Sequence, residues 1–186
     1  MPWRDPPVGS TATAAAVAAL HKGADLASKL TQKGYVVRVC LTGHAARLIA
    51  PQHFEALTGQ PAYGDEFGAR RQSAMDHIQL AEWADLLVYA PAGAGLIGQL
   101  ANGLASDLPA TVALATPLAV PRILCPAMNP HMLANPAVSR NLARLVEDGW
   151  RLVEPGEGHM ACGVEGRGRL AEPAEIVAAV EGIVAP

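Results

Sequence analysis

Three side chains able to move a proton or grip an anion stand far apart in this chain: His77, Asn129 and Cys162. Cys162 lies in the polar stretch Glu157-Gly158-His159-Met160-Ala161-Cys162-Gly163-Val164-Glu165-Gly166-Arg167-Gly168-Arg169. Its glycines free the backbone to fold tightly around a ligand or a neighbour. A thiol held there is better placed for proton transfer than for packing, and as a donor it needs no lowered pKa. The competing reading is a small buried hydrophobe. His77, in Asp76-His77-Ile78, can take or hold a proton near neutral pH. The competing reading is a capping or surface histidine at a helix start. Asn129, in Pro126-Ala127-Met128-Asn129-Pro130, offers two amide donors to a carboxylate. Asn before Pro is also a turn signal, and both readings stay open.

Gly93 and Gly95, in Pro91-Ala92-Gly93-Ala94-Gly95, follow a predicted strand and open a helix. Unpaired backbone N–H groups there suit a phosphate, and close helix–strand packing explains the glycines as well. Cys40 and Cys125 lie inside apolar runs and read as core, while His21, His44, His53, His131 and His159 have no ligand-like spacing. Three cysteines without a CxxC pair fit neither a disulfide framework nor a zinc site, so no metal is expected. A formal charge of −3 favours neither nucleic acid nor an anionic membrane. Thr11–Leu20 is too short and lacks the basic flank of a signal peptide, and no run reaches a membrane span. The chain reads as cytoplasmic.

These residues need a frame that gathers them. With 186 residues, 51% apolar and 4% aromatic, the chain can bury one sizeable core of small aliphatics. One domain is expected over 1–186, with no structure assigned to residues 1–17. Strands are predicted at Tyr35–Leu41, at Leu86–Ala90 with Pro91 as its end, at Arg122–Cys125 and at Trp150–Val153. Helical patterns run over Ala12–Leu30 with Lys33-Gly34 as a stop, then Ala45–Ile49, Phe54–Leu57, Asp76–Trp83 and Leu96–Leu108. A further apolar run reaches Ala115. Helices also follow Pro136 and Pro173. Gly59–Ser73 has loop composition. Alternating strands and helices predict a parallel sheet covered on both faces, with ligands beyond the C-terminal strand ends. His77 precedes its strand, so the loop before it has to carry it to that rim.

Three ordered motifs, set in a resemblance that runs from about Ala18 to the C-terminus, now stand together. The first is Pro126-Ala127-Met128-Asn129, continued by His131-Met132, Asn135-Pro136-Ala137 and Asn141-Leu142. The second is Ala161-Cys162-Gly163, followed by Gly168-Arg169-Leu170-Ala171-Glu172-Pro173. The third is His77-Ile78, Leu80 and Trp83-Ala84-Asp85. In this the chain resembles the flavin-dependent cysteine decarboxylases, most of all those acting on 4'-phosphopantothenoylcysteine in coenzyme A synthesis.

The resemblance implies an α/β, flavodoxin-like (Rossmann-type) three-layer sandwich with a parallel sheet. It implies FMN as cofactor, assembly as homotrimers or dodecamers, and a site between subunits. It gives catalytic roles to His77, Asn129 and Cys162, the last on a flap that closes over the substrate. It assigns flavin contacts to Gly9, Ser10, Thr42, Ala92, Gly93, Gly95 and Met128. The implied chemistry has the thiol oxidised to a thioaldehyde, which accepts the electrons released with CO2. The flavin then returns a hydride while Cys162 supplies a proton. A separate phosphopantothenate–cysteine ligase is the implied pathway partner. Peptidyl-cysteine decarboxylation, flavin prenyl transfer and a noncatalytic binding or regulatory module on the same scaffold are the rival functions.

The chain departs from the family pattern twice. Met1–Val8 makes a poor first strand, and Gly9-Ser10 lies several residues too far from the next helix. Ala14–Leu20 is the alternative strand. The first strand is central in this topology, so a gap there would cost ~1–3 kcal/mol per missing backbone partner. Glycines also stand at 93 and 95, and a leucine at 96, where the family usually carries threonine, asparagine and threonine.

Overall fold

A computed structural model of the chain describes residues 9–15, 20–64, 75–159, 163 and 165–184. The elements run β1 (Gly9–Ala15), α1 (Leu20–Gln32), β2 (Val36–Leu41), α2 (Gly43–Leu48), α3 (Pro51–Thr58), β3 (Ala62–Tyr63), α4 (Asp76–Trp83), β4 (Leu86–Ala92), α5 (Ala94–Ala101), α6 (Leu108–Ala115), β5 (Arg122–Pro126), α7 (Pro130–Leu133), α8 (Pro136–Glu147), β6 (Arg151–Leu152), β7 (Gly156–His159), β8 (Glu165–Arg169) and α9 (Pro173–Val184). Six strands form one sheet in the order β3-β2-β1-β4-β5-β6, and every pairing in it is parallel. With the two-residue edge strand β3 set aside, this is the flavodoxin order, and the strand order reverses between β1 and β4.

Side-chain alternation builds the two outer layers. In β2, Val37, Val39 and Leu41 join the core under α1, α3 and α9, while Cys40 joins the core under α4, α5, α6 and α8. In β4, Leu86, Val88 and Ala90 face the first layer, and Leu87, Tyr89 and Ala92 face the second. Ala92 breaks the two-residue period because the register shifts between Tyr89 and Ala92 against β5. That irregularity lets Pro91 sit inside a central strand, where a missing N–H would otherwise break the ladder. The strand therefore passes through Pro91 and ends at Ala92, two residues beyond the sequence expectation. Leu86, Leu87, Val88 and Tyr89 are each at most 1% exposed. Each such side chain is worth ~1.5–3 kcal/mol of burial.

The first strand is the main correction. Gly9–Ala15 is extended and pairs with β2 from Gly9↔Val36 to Ala14↔Leu41, and with β4 from Ser10↔Leu86. Neither the long helix Ala12–Leu30 nor the alternative strand Ala14–Leu20 survives; α1 begins at Leu20. Alanine and glycine have poor strand propensity, so local preference points away from β. The unpaired edges that β2 and β4 would otherwise bury decide the matter.

Two smaller differences have similar causes. Leu96–Leu108 is not one helix: Gly103 takes φ +63, and α6 restarts where the Asp107 side chain accepts from Ala110 N at 3.0 Å. The polar stretch near the C-terminus contributes an antiparallel hairpin, β7–β8, outside the main sheet.

Candidate functional site

The C-terminal strand ends reach one level. Ala14 pairs with Leu41, Ala15 with Ala92, and Ala92 with Pro126. Ala127 N donates to Ala92 O at 3.0 Å and closes the step between β4 and β5. Thr42, Gly93 and Met128 therefore leave the sheet along a common rim, with Gly93 beside the point where strand order reverses. Gly93 is the N-cap of α5 without a side-chain cap, and a Cβ built on Gly95 meets no atom within 4 Å. The side-chain direction of Gly95 is thus open at the start of α5. Leu96 points elsewhere: it is 5% exposed and belongs to the core under α5. The leucine at this position is a packing residue. Thr42 is buried, and its hydroxyl accepts from Ala45 N at 3.2 Å, which fixes the start of α2.

Gly9 and Ser10 lie at the other end of the sheet. They begin β1 and pair with Val36 and Val37, the first residues of β2. Ala15 lies six positions beyond Gly9, a rise of about 20 Å along a strand. A phosphate turn at Gly9-Ser10 would need them after the strand, and the extended pairing places them before it.

Asn129 caps α7. Its Oδ1 accepts from His131 N at 2.9 Å, so the turn role holds and fixes the orientation of the amide, whose donors lie on Nδ2. The hairpin stands directly beside this turn. Met128 N donates to Gly168 O at 3.0 Å. Gly166, at φ +155, brings β8 so near Pro130 that an added Cβ would lie 3.2 Å from Cγ of the ring. Gly166 leaves the room that this approach needs. Gly166 and Gly168 are the points where β8 meets the Asn129 turn. Cys162 itself lies outside the described residues, between β7 and β8.

His77 occupies the first turn of α4, half-buried, next to buried Asp76. Asp76 acts electrostatically on Cys40 and Tyr63, so this helix start lies near the C-terminal ends of β2 and β3. The helix itself brings His77 toward the rim, since α4 runs back from there to the start of β4. β1 and β4 stand between β2 and β5. Asn129 and the hairpin thus form one group, and His77 belongs to another part of the rim. Met75 and Ile78, both exposed, flank His77.

Cys40 and Cys125 are core residues. Burial pushes both thiols well above the usual range, with Asp76 adding to the effect at Cys40. Among the described residues no three His, Cys, Asp or Glu side chains gather as a metal site requires, and no helix is long and apolar enough to cross a membrane.

One charged group escaped the sequence reading. Lys22, in the first turn of α1, donates to Glu172 Oε1 at 2.7 Å and to Leu170 O at 3.3 Å. Arg169 Nη2 lies 3.6 Å from the same carboxylate oxygen. Glu172 before Pro173 announces a helix start, but nothing in the sequence pairs it with residue 22.

A family model described as Flavoprotein matches residues 8–185. The chain belongs to the flavoprotein family. This flavoprotein is 45% identical over 163 residues to the coenzyme A biosynthesis bifunctional protein CoaBC of Bacillus subtilis, covering 88% of this chain and 40% of that protein. It therefore spans about two fifths of its bifunctional relatives. It is 38% identical over 163 residues to a probable phosphopantothenoylcysteine decarboxylase of Streptococcus mutans, covering 88% of this chain and 91% of the relative. Among solved structures it resembles a PPC decarboxylase cysteine-to-serine mutant complexed with pantothenoylaminoethenethiol. The TM-score is 0.82 at 29% identity, over 96% of this chain and 98% of the other. It also resembles the FMN binding protein AtHal3, with TM-score 0.79 at 29% identity over 97% of both chains.

Proposed function

We propose that this flavoprotein decarboxylates 4'-phosphopantothenoylcysteine to 4'-phosphopantetheine with FMN. The observation that carries the reading is the docking of the β7–β8 hairpin, between whose strands Cys162 falls in sequence, on the Asn129 turn, through Met128 N to Gly168 O and Gly166 against Pro130. It supports a carboxylate-binding amide and a proton donor working on one substrate. The relatives that act on this substrate support its identity.

The rim suits FMN. The start of α5 has no side-chain cap and is open on the side-chain side of Gly95, beside the strand-order reversal, where α/β sheets hold such ligands. Gly93, Ala94 and Gly95 would hold the group by main-chain donors, with Ala92, Thr42 and Met128 as neighbours. FMN supplies a two-electron acceptor that gives the electrons back, so the overall reaction is redox-neutral. The chain supplies placement and protons. Asn129 orients the substrate carboxylate through Nδ2. His77 assists deprotonation of the substrate thiol. Cys162 delivers the proton that completes the product, and the hairpin over it keeps water out.

The protein assembles as a homotrimer or dodecamer. The exposed Met75 and Ile78 beside His77 support a site closed by a second copy. A phosphopantothenate–cysteine ligase supplies the substrate, and the reaction is cytoplasmic.

The test combines purified protein, FMN and phosphopantothenoylcysteine, and follows CO2 release and product mass. Loss of a positioned acid costs about 10²–10⁴ in rate. Cys162→Ser is expected to release CO2 but to leave product two mass units light, the ethenethiol. Asn129→Asp is expected to suppress CO2 release. Full turnover by Cys162→Ser would remove the thiol from the mechanism. Colourless protein that takes up no FMN would favour a noncatalytic module.

A further inference from the structure

The β7–β8 hairpin has only two strands, and such a pair is marginal in water on its own. Its docking on the Asn129 turn fixes one side. The other side is fixed at Glu172. Leu170 and Ala171, just beyond β8, are 2% exposed and belong to the core. Glu172 follows them as a rigid post. Its N–H donates to Glu175 Oε2 at 2.8 Å, and its C=O accepts from Glu175 N at 2.8 Å at the start of α9. Its carboxylate is gripped by Lys22, whose side chain is only 15% exposed.

Arg169 spans from this post to the opposite strand. Its side chain passes so close over Gly158 of β7 that a Cβ there would lie 2.8 Å from Nη1 and 3.3 Å from Cδ. Gly158, at φ +138, leaves the path open. The connection runs from α1 through Lys22, Glu172 and Arg169 to β7. An isolated surface ion pair seldom matters, but here one partner is largely buried and the other is held by its own helix start.

We propose that Glu172 is a positioning residue, which holds Arg169 across Gly158 and so sets the stance of the β7–β8 hairpin over the Asn129 turn. Its consequence for turnover rests on the decarboxylase reading. Glu172 touches no reacting atom; it acts through Arg169.

The experiment compares the full-length protein with Glu172→Gln, Arg169→Met and the double variant. Hydrogen exchange is followed by mass spectrometry without substrate. Glu172→Gln is expected to speed exchange in peptides spanning 154–170 by about threefold to fivefold, the upper range for an exposed pair. Peptides from α1 and α9 stay within experimental scatter. In the Arg169→Met background, Glu172→Gln adds nothing, since the two residues act as one unit. With FMN and phosphopantothenoylcysteine present, the Glu172→Gln protein binds FMN as the parent does but releases a larger share of unreduced ethenethiol. Unchanged hairpin exchange, equal acceleration throughout the domain, or additive effects of the two variants would overturn the proposal. A parent protein without turnover refutes the decarboxylase reading, and the exchange comparison still decides the role of Glu172.

Discussion

Gly166→Ala tests whether the hairpin depends on its close approach to Pro130. Gly166 has φ +155, a backbone state that costs an L residue of order 1–3 kcal/mol. The new methyl carbon would also stand 3.2 Å from Pro130 Cγ and 3.6 Å from its Cβ. Pro130 opens α7 with its ring locked to the backbone, so it cannot swing aside as a long side chain would. Together these amount to about 2 kcal/mol against the docked hairpin, or roughly 30-fold in the docking equilibrium. Carried through to global unfolding, that loss would lower the thermal midpoint by about 4–8 °C in a chain of this size. Release of the hairpin relieves the strain and caps the drop below that figure. Exchange in the peptides of β7 and β8 should rise by about 30-fold, while peptides of β4 and β5 change less. Gly59→Ala is the control, since it adds backbone strain at φ +65 with no atom within 4 Å. Hairpin exchange within about twofold of the parent would refute the reasoning. So would a full midpoint drop with hairpin and sheet exchanging alike.

Tyr89→Phe removes the buried hydroxyl that donates to Pro109 O at 2.9 Å and leaves that carbonyl without it. A loss of about 1–3 kcal/mol is expected in urea titration, with an unchanged m-value. The Lys22 hydrogen bond holds the Glu172 carboxyl below the ordinary 4.5 of a glutamate. A depressed folded-state value stabilises above the unfolded value and is lost as pH falls through the folded one. The difference in denaturation midpoint between the parent and Glu172→Gln should therefore be full at pH 7 and shrink steadily below about pH 4.5. A difference that stays constant down to pH 3 would contradict the pairing.

Strands carried by near-continuous apolar runs were legible in the chain, as β2 and β4 illustrate. So was the Asn129 turn, because Asn before Pro announces it locally. β1 was not, because Gly-Ser-Thr-Ala-Thr-Ala-Ala carries no hydrophobic period; its neighbours' backbone groups impose the strand. The resemblance that placed Gly9-Ser10 at a turn rested on residue type, and the pairing of β1 with β2 puts them at the start of the strand. Gly166 gives the backbone freedom, yet the reason for it is a contact with Pro130, thirty-six positions earlier. Leu96 looked like a lost ligand contact and is instead a core side chain, a distinction set by which face of α5 it occupies. The Lys22–Glu172 pair bridges 150 positions, and no local pattern encodes it.

The hairpin shares no strand with the six-stranded sheet. β7 and β8 are fastened to the domain by side contacts and chain continuity rather than by the ladder that joins the layers. Exchanges at the exposed positions Glu157 and Glu165 should therefore be tolerated by the scaffold beneath, so long as the two moorings, at Pro130 and at Glu172, are kept.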